Sequence, residues 1–540
     1  MERHRGGLTN RWRRVGLWAG PALFLGLFFI WPVTRLLQRG FSDDSGALTD
    51  VFTSSSIRSA AWFTLWQAAA STAITLLLAF PLTAVMANIR FRGRRLVNAL
   101  VTIPFVLPTV VVAGAFIATG DRLNLTDGPF ALQRSVTAIL AAHVFFNVAV
   151  VVRTVGGYWQ QLSRDGEHAA RLLGSSPLHV FVRITVRRLQ PAIAAATSIV
   201  FLFTFTSFGI VVILGGARQR TIETEIFRYA ISRTDFATAA ALSVVQLLVV
   251  IGLVAVNLRL RGRIGRADRI GDRLRPPIGW MRLTTPATVL GTLGLLAIPI
   301  ASLAWVAFTP GDSFGLDHFR ALAERPPFLT VTPQRAMFNS LLFALVATTI
   351  ATIVGGWASL AIVYGRGRLS ALLDIGYLLP LGVSAVTLGF GLLITFDTGI
   401  FDLRQSWIII PLAQSLIGIP FVTRSVVPML RAIDPALRDA AATLGSSPGA
   451  IWRTIDFPIV RRALVVGAGF AFAISLGEFG ATSFVGRRPD QMTVPLAIAR
   501  LLSQPGDSIR GQAMALSVVL MVVTTLVLLV VDRADGANVL

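Results

Sequence analysis

Long apolar stretches separated by short polar, arginine-rich segments fill this chain from end to end. A helix needs about 20 predominantly apolar residues to cross the hydrocarbon of a bilayer. Twelve stretches meet that length, at residues 15–37, 60–88, 97–119, 135–155, 191–214, 237–258, 286–308, 338–363, 370–396, 405–427, 463–485 and 512–532. The first runs through bulky Phe24, Phe28, Phe29 and Trp31, unlike the shorter apolar core of a cleaved signal peptide. It is expected to stay as a membrane helix.

Composition places the 540 residues in the same class, since 54% are hydrophobic and only 14% charged. An all-α integral membrane protein of twelve transmembrane helices is expected. All 49 basic residues are arginine, so the lysine that a phosphate-binding loop sets on the β- and γ-phosphates is absent. Any nucleotide hydrolysis then belongs to a partner, and the chain is not expected to be an enzyme. The lack of cysteine excludes disulfides, thiolate nucleophiles and cysteine metal sites.

Charge orients the spans. With the N-terminus inside, the inner segments hold 32 Arg and 11 acidic residues, and the outer loops hold 17 and 16. Nearly all of the +22 net charge then faces one compartment, as the positive-inside rule requires. Both termini are expected in the cytoplasm, and the basic balance reads as topology and contact with anionic lipid rather than nucleic-acid binding.

The tetrapeptide Gly-Ser-Ser-Pro occurs at Gly174, Ser175, Ser176 and Pro177 and again at Gly445, Ser446, Ser447 and Pro448, 271 residues later. Arg153 and Arg424, and Phe208-Gly209 and Phe479-Gly480, keep the same interval. The chain therefore reads as a duplication: a first half over 1–258, a basic linker over 259–285, and a second half over 286–540. Six spans per half make the two repeats parallel, unlike inverted-repeat transporters. Each tetrapeptide falls in an inner loop, about 158–190 and 428–462.

Alanines before each glycine favour a helix, and the glycine supplies the left-handed residue that ends one. Ser176 or Ser447 then caps a second helix that opens on proline. The expected product is two short helices with a sharp bend, whose small side chains let another protein approach closely.

The segment Asp439-Ala440-Ala441 to Gly445, continued by Ile455-Asp456-Phe457-Pro458, resembles the E-A-A-x-x-x-G loop of membrane subunits of binding-protein-dependent ATP-binding-cassette importers. In the first half His168, Ala169, Ala170, Gly174 and Ile184 match, with His168 where the acid belongs and Glu167 beside it. Further stretches are similar to the fused permeases of thiamine and ferric-iron importers: Leu140 to Asn147, Phe205 to Gly209, Thr221 to Phe227 and Ser475 to Gly480. The resemblance implies a type I importer permease fold in a bacterial plasma membrane. It also implies coupling loops seated in two copies of a cytoplasmic ATPase that holds ATP and Mg, an extracytoplasmic substrate-binding protein, and thiamine or a related small cation as cargo. Ferric iron is the alternative cargo.

Ionisable groups inside spans are costly and mark candidate pathway positions. Glu478 with Phe479, Ser207, and His143 with Asn147 are the candidates. For Glu478 the competing reading is a helix-packing residue beside Gly477 and Gly480, and for His143 a satisfied interhelical histidine. Neither has a second ligand at metal spacing. An ion-coupled secondary transporter would need more intramembrane acid or histidine pairs and gives no reason for paired loops; a membrane enzyme would need a catalytic constellation, and none is seen.

Overall fold

The computed structural model describes residues 16–41, 46–216, 218–261, 274–311, 313–365, 367–397, 402–403, 405–486 and 488–534. The arginines before residue 15 and residues 262–273 of the expected linker lie outside the described residues. Regular structure among the described residues is helical, with one isolated β-bridge between Ile89 and Arg275.

Among the described residues ten helices are long and apolar enough to cross a membrane. They are α1 (Gly16–Phe41), α2 (Ser55–Asn88), α5 (Val136–Gln161), α7 (Pro177–Phe205), α8 (Phe236–Val256), α9 (Met281–Phe308), α10 (Pro333–Tyr364), α13 (Ile409–Ala432), α15 (Pro448–Gly477) and α16 (Asp507–Val531). The other two expected spans are each broken. Helix α3 (Arg94–Val106) meets α4 (Thr109–Arg122) at 100°, and α11 (Arg368–Gly382) meets α12 (Ala385–Thr395) at 106°.

The first break has a simple cause. Proline disfavours helical backbone at the residue before it, and Leu107 ahead of Pro108 is extended at ψ 140°. Pro104 sits inside α3 without ending it. In the second half the bend falls beyond Pro380 and Gly382, at Val383 and Ser384, where the Ser384 hydroxyl caps α12 by accepting from the Thr387 amide at 3.2 Å.

Two further expected spans stop short. The stretch 191–214 is helical only to Phe205, opens over three residues, and resumes as Gly209–Leu214. The stretch 463–485 ends its helix at Gly477 and resumes as Thr482–Val485. Ser207 and Glu478, 271 residues apart, stand at these two openings.

Two compact units result, and they are not the two sequence halves. One comprises residues 1–50, 226–244 and 315–540; the other comprises 51–225 and 245–314. Each unit thus takes in the first helix of the opposite half. In the first unit α1 lies along α12, with Trp31 edge-on to Phe396 at 5.5 Å and the Tyr377 hydroxyl donating to the Pro21 carbonyl at 2.6 Å. In the second unit α9 lies along α4, and the Arg122 guanidinium sits 4.6 Å above the Trp305 ring.

Small residues let the helices close. In the first unit Ala344, Ala347, Ala351 and Ala358 of α10 are fully buried, and a Cβ added at Gly355 would come 2.9 Å from Val422 of α13. From α15, a Cβ at Gly467 would lie 2.8 Å from the Val422 backbone. Lipid gives helices no hydrophobic reason to associate, so close backbone approach and van der Waals contact must hold these three together. Polar ties reinforce the second unit, where Gln67 of α2 donates to the Thr204 carbonyl of α7 at 2.8 Å.

Candidate functional site

The two Gly-Ser-Ser-Pro segments fold into the same elbow. Helix α6 (Asp165–Leu172) precedes α7 in one unit, and α14 (Pro435–Thr443) precedes α15 in the other. At the first bend the Ser175 amide donates to the Ala170 carbonyl and the Gly174 amide to Arg171, both at 3.0 Å. At the second, Ser446 donates to Ala441 and Gly445 to Ala442, again at 3.0 Å. These are the paired bonds of a Schellman motif, which satisfy carbonyls left over at a helix end.

The motif needs a left-handed residue, and Gly174 and Gly445 supply it at φ +85° and +84°. Ser176 then accepts from the His179 amide and Ser447 from the Ala450 amide, each at 3.3 Å, and Pro177 and Pro448 open the following helix. A π-helical turn follows at Phe181–Val186 in one half and Trp452–Asp456 in the other. Beyond it each short helix continues into the long span.

One cross-brace holds each elbow, and the two halves write it in different chemistry. In the first, the Thr185 hydroxyl donates to Glu167 at 2.9 Å. In the second, Arg438 and Asp456 form an ion pair at 2.8 Å, and the Tyr364 hydroxyl donates to Asp456 at 3.0 Å while accepting from Arg438 at 2.8 Å. Residues 167 and 438, and 185 and 456, are each 271 apart. Glu167 therefore faces its own elbow and does not replace the acid expected at His168. His168 and Asp439 are the equivalent positions, and both are exposed, as are Ala169 and Ala440, with Ala170 and Ala441 half-buried.

Sequence reading missed the residue at the tip. Leu173 and Leu444, immediately before the glycines, are 87% and 86% exposed. Leu172 beside the first is also exposed. Both leucines place a large apolar side chain in the open on an otherwise polar bend. Their identical placement before each Gly-Ser-Ser-Pro was the available signal.

The candidate pathway residues divide into two groups. His143, Asn147 and Ser207 come together in the second unit. The imidazole of His143 bridges Ser71 Oγ at 3.0 Å and Ser207 Oγ at 2.8 Å, and Asn147 donates to the His143 carbonyl at 2.9 Å. His143 is thus the satisfied interhelical histidine of the competing reading. Its counterpart at 414 is a buried glutamine.

Glu478 and Phe479 belong to the first unit and are buried. The Glu478 carboxylate accepts from the Ala481 amide at 2.6 Å, from the Thr482 amide at 2.9 Å and from the Thr482 hydroxyl. It is neither inside a continuous helix nor bonded across a helix pair; it caps the turn that restarts after the break. Three donors oriented at one buried carboxylate account for its tolerance there. Among the described residues no group of three metal-ligating side chains occurs.

Two matched elbows, each with an exposed leucine at its tip, stand on a polytopic helical scaffold. Residues 79–263 and 347–537, one stretch per half, match the family described as binding-protein-dependent transport system inner membrane component. The chain belongs to that family, and is the permease subunit of an ATP-binding-cassette importer that works with an ATPase and a substrate-binding protein. It is 26% identical to the thiamine transport system permease protein ThiP of Brucella abortus over 498 residues, covering 88% of this chain and 87% of that protein. The corresponding protein of Escherichia coli is 25% identical, with 88% and 89% covered. A molybdenum transport system permease protein, ModB of Mycobacterium bovis, is 33% identical over 212 residues, which is 37% of this chain and 79% of that protein.

Proposed function

We propose that this permease carries thiamine or a closely related small cation and takes its driving force through the two elbows, each seated on one copy of the ATPase. The observation that carries the coupling role is the repeated elbow itself, with an exposed leucine at each tip and a bend locked by the same two backbone bonds. Both elbows read as cytoplasmic when each bent pair, α3 with α4 and α11 with α12, counts as one crossing. The cargo rests on the ThiP relatives, whose similarity spans both halves.

The geometry suits a lever. Each elbow is braced to its own π turn, and that turn lies within the unbroken course of α7 or α15. A push on the tip then moves a whole span rather than unwinding a loop. ATP-driven closure of the ATPases draws the elbows together, and the spans open the pathway toward the binding protein; hydrolysis returns them.

The test is reconstitution of the chain with its ATPase and binding protein in liposomes. ATP-dependent uptake of labelled thiamine, unaffected by excess molybdate or ferric iron, is the expected result. Uptake of either metal species with no thiamine uptake refutes the cargo. Full thiamine uptake by a variant with Leu173 and Leu444 both changed to Asp refutes the role of the elbows.

A further inference from the structure

Beside the first elbow lies a cavity of about 410 Å3 with walls from α2, α5, both elbow helices and the start of α9. We propose that it is a binding site for a phosphate group, in a phosphate ester, diphosphate or lipid headgroup, that senses its ligand at the first elbow alone. Arg164, Arg171 and Arg275 line it against one carboxylate, Glu167, which Thr185 already engages. Guanidinium groups bind phosphate through paired N–H donors and stay charged at any physiological pH.

The site is built rather than incidental. Trp159 is only 3% exposed and its indole N–H has no partner; the Arg275 Nε is also buried without one. Buried N–H donors are rarely left unpaired in folded proteins, and an oxygen-rich ligand is what such donors accept. Backbone pairing fixes Arg275 in place, because its amide donates to the Asn88 carbonyl at 3.1 Å and its carbonyl accepts from the Arg90 amide at 2.8 Å. Phe80 and Phe181 pack against the Trp159 ring and hold it at the cavity wall.

The second elbow has no counterpart. Trp159, Arg164 and Arg171 correspond, 271 residues on, to Leu430, Pro435 and Ala442. Duplication gave both halves the elbow, and the donors occur only in the first. On the lever reading of the elbows proposed above, a ligand bridging Arg171 of α6 and Arg275 would stiffen one lever and leave the other free.

The test uses the full chain in nanodiscs, first of phosphatidylcholine alone and then with phosphatidylglycerol. Inorganic pyrophosphate is the soluble probe, read by calorimetry and by hydrogen exchange over residues 159–185. Binding weakened at least tenfold by Arg275→Gln and severalfold by Trp159→Phe, with protection of the first elbow and none over 435–456, supports a soluble phosphate ligand. Phosphatidylglycerol retained by the wild type in native mass spectrometry and lost from Arg275→Gln supports a lipid headgroup. Arg171→Gln, an exposed position that folding tolerates, must weaken whichever ligand binds. Equal binding of pyrophosphate and lipid by wild type, Arg275→Gln and Arg171→Gln, or binding of neither, overturns the proposal.

Discussion

Replacing Gly445 separates the backbone requirement of the elbow from its surface chemistry. At φ +84° an L-residue occupies the left-handed region, and nothing lies within 4 Å of where its Cβ would stand. The cost is therefore conformational, roughly 1–2 kcal/mol for an ordinary residue. Valine, stiff at its branched Cβ, should lie at or above the upper end, whereas asparagine visits this region readily and should cost a few tenths. At about 1.4 kcal/mol per factor of ten, Gly445→Val lowers the population of the locked bend roughly tenfold or more relative to Gly445→Asn. The direct assay is hydrogen exchange at the Gly445 and Ser446 amides, the two donors of the bend. Exchange should quicken in the valine variant and stay close to wild type with asparagine, and ATP-driven uptake should follow the same order while membrane insertion is unchanged. If the two variants exchange and transport alike, the left-handed glycine is not what shapes the elbow.

The two cross-braces predict unequal sensitivity: Asp456→Ala strands Arg438, whose side chain is only 21% exposed, and should cost about 2 kcal/mol, whereas Thr185→Val removes one hydrogen bond worth about 1 kcal/mol. Comparable loosening of residues 435–456 and 165–186 in the two variants, measured by hydrogen exchange, would contradict that. Because the natural chain has no cysteine, Ser175→Cys and Ser446→Cys can be labelled one at a time, and both should react with an impermeant maleimide only in inverted vesicles. Gly389→Ala should lower thermal stability by about 1–3 kcal/mol, since its Cβ would come 2.6 Å from the Ala481 backbone, which has no flexible end to yield; an unchanged melting temperature would refute that packing. Glu478→Ala should destabilise by about 2 kcal/mol without altering preference between cationic and neutral thiamine analogues, and Glu478→Gln should recover only part of that, since its amide nitrogen must face a backbone donor; a selectivity change at unchanged stability would instead place Glu478 in the pathway.

Ten of the spans and both elbows were legible because their causes are local. Apolar length dictates a crossing, and alanine, glycine, serine and proline in sequence dictate a capped, bent helix pair. Both breaks carry a mark in the sequence: Pro108 stands at one, and Pro380 with Gly382 lies just ahead of the other, at Val383 and Ser384. The setting of Glu478 was not legible because hydropathy records that a carboxylate is embedded and not that Ala481 and Thr482 turn their donors toward it. The braces at 167 with 185 and 438 with 456 escaped notice because duplication kept the positions while changing acid to base and hydroxyl to acid. Which half each first helix joins depends on contacts far apart in the chain, such as Tyr377 with Pro21 and Arg122 with Trp305, and no local pattern encodes those.

That last arrangement constrains how the protein is made. Helix α1 leaves the ribosome 356 residues before the tyrosine that will hold it, which at 5–20 residues per second is roughly 20–70 seconds of waiting. For much of that interval the start of α8 is its partner from the same unit, with the Phe236 ring 5.6 Å from the Arg39 guanidinium. Cutting the gene at the linker would not yield two self-sufficient proteins, because each product would carry a helix that fits the other and lack one of its own walls. Co-expressed fragments should therefore rescue each other, while either alone should be degraded.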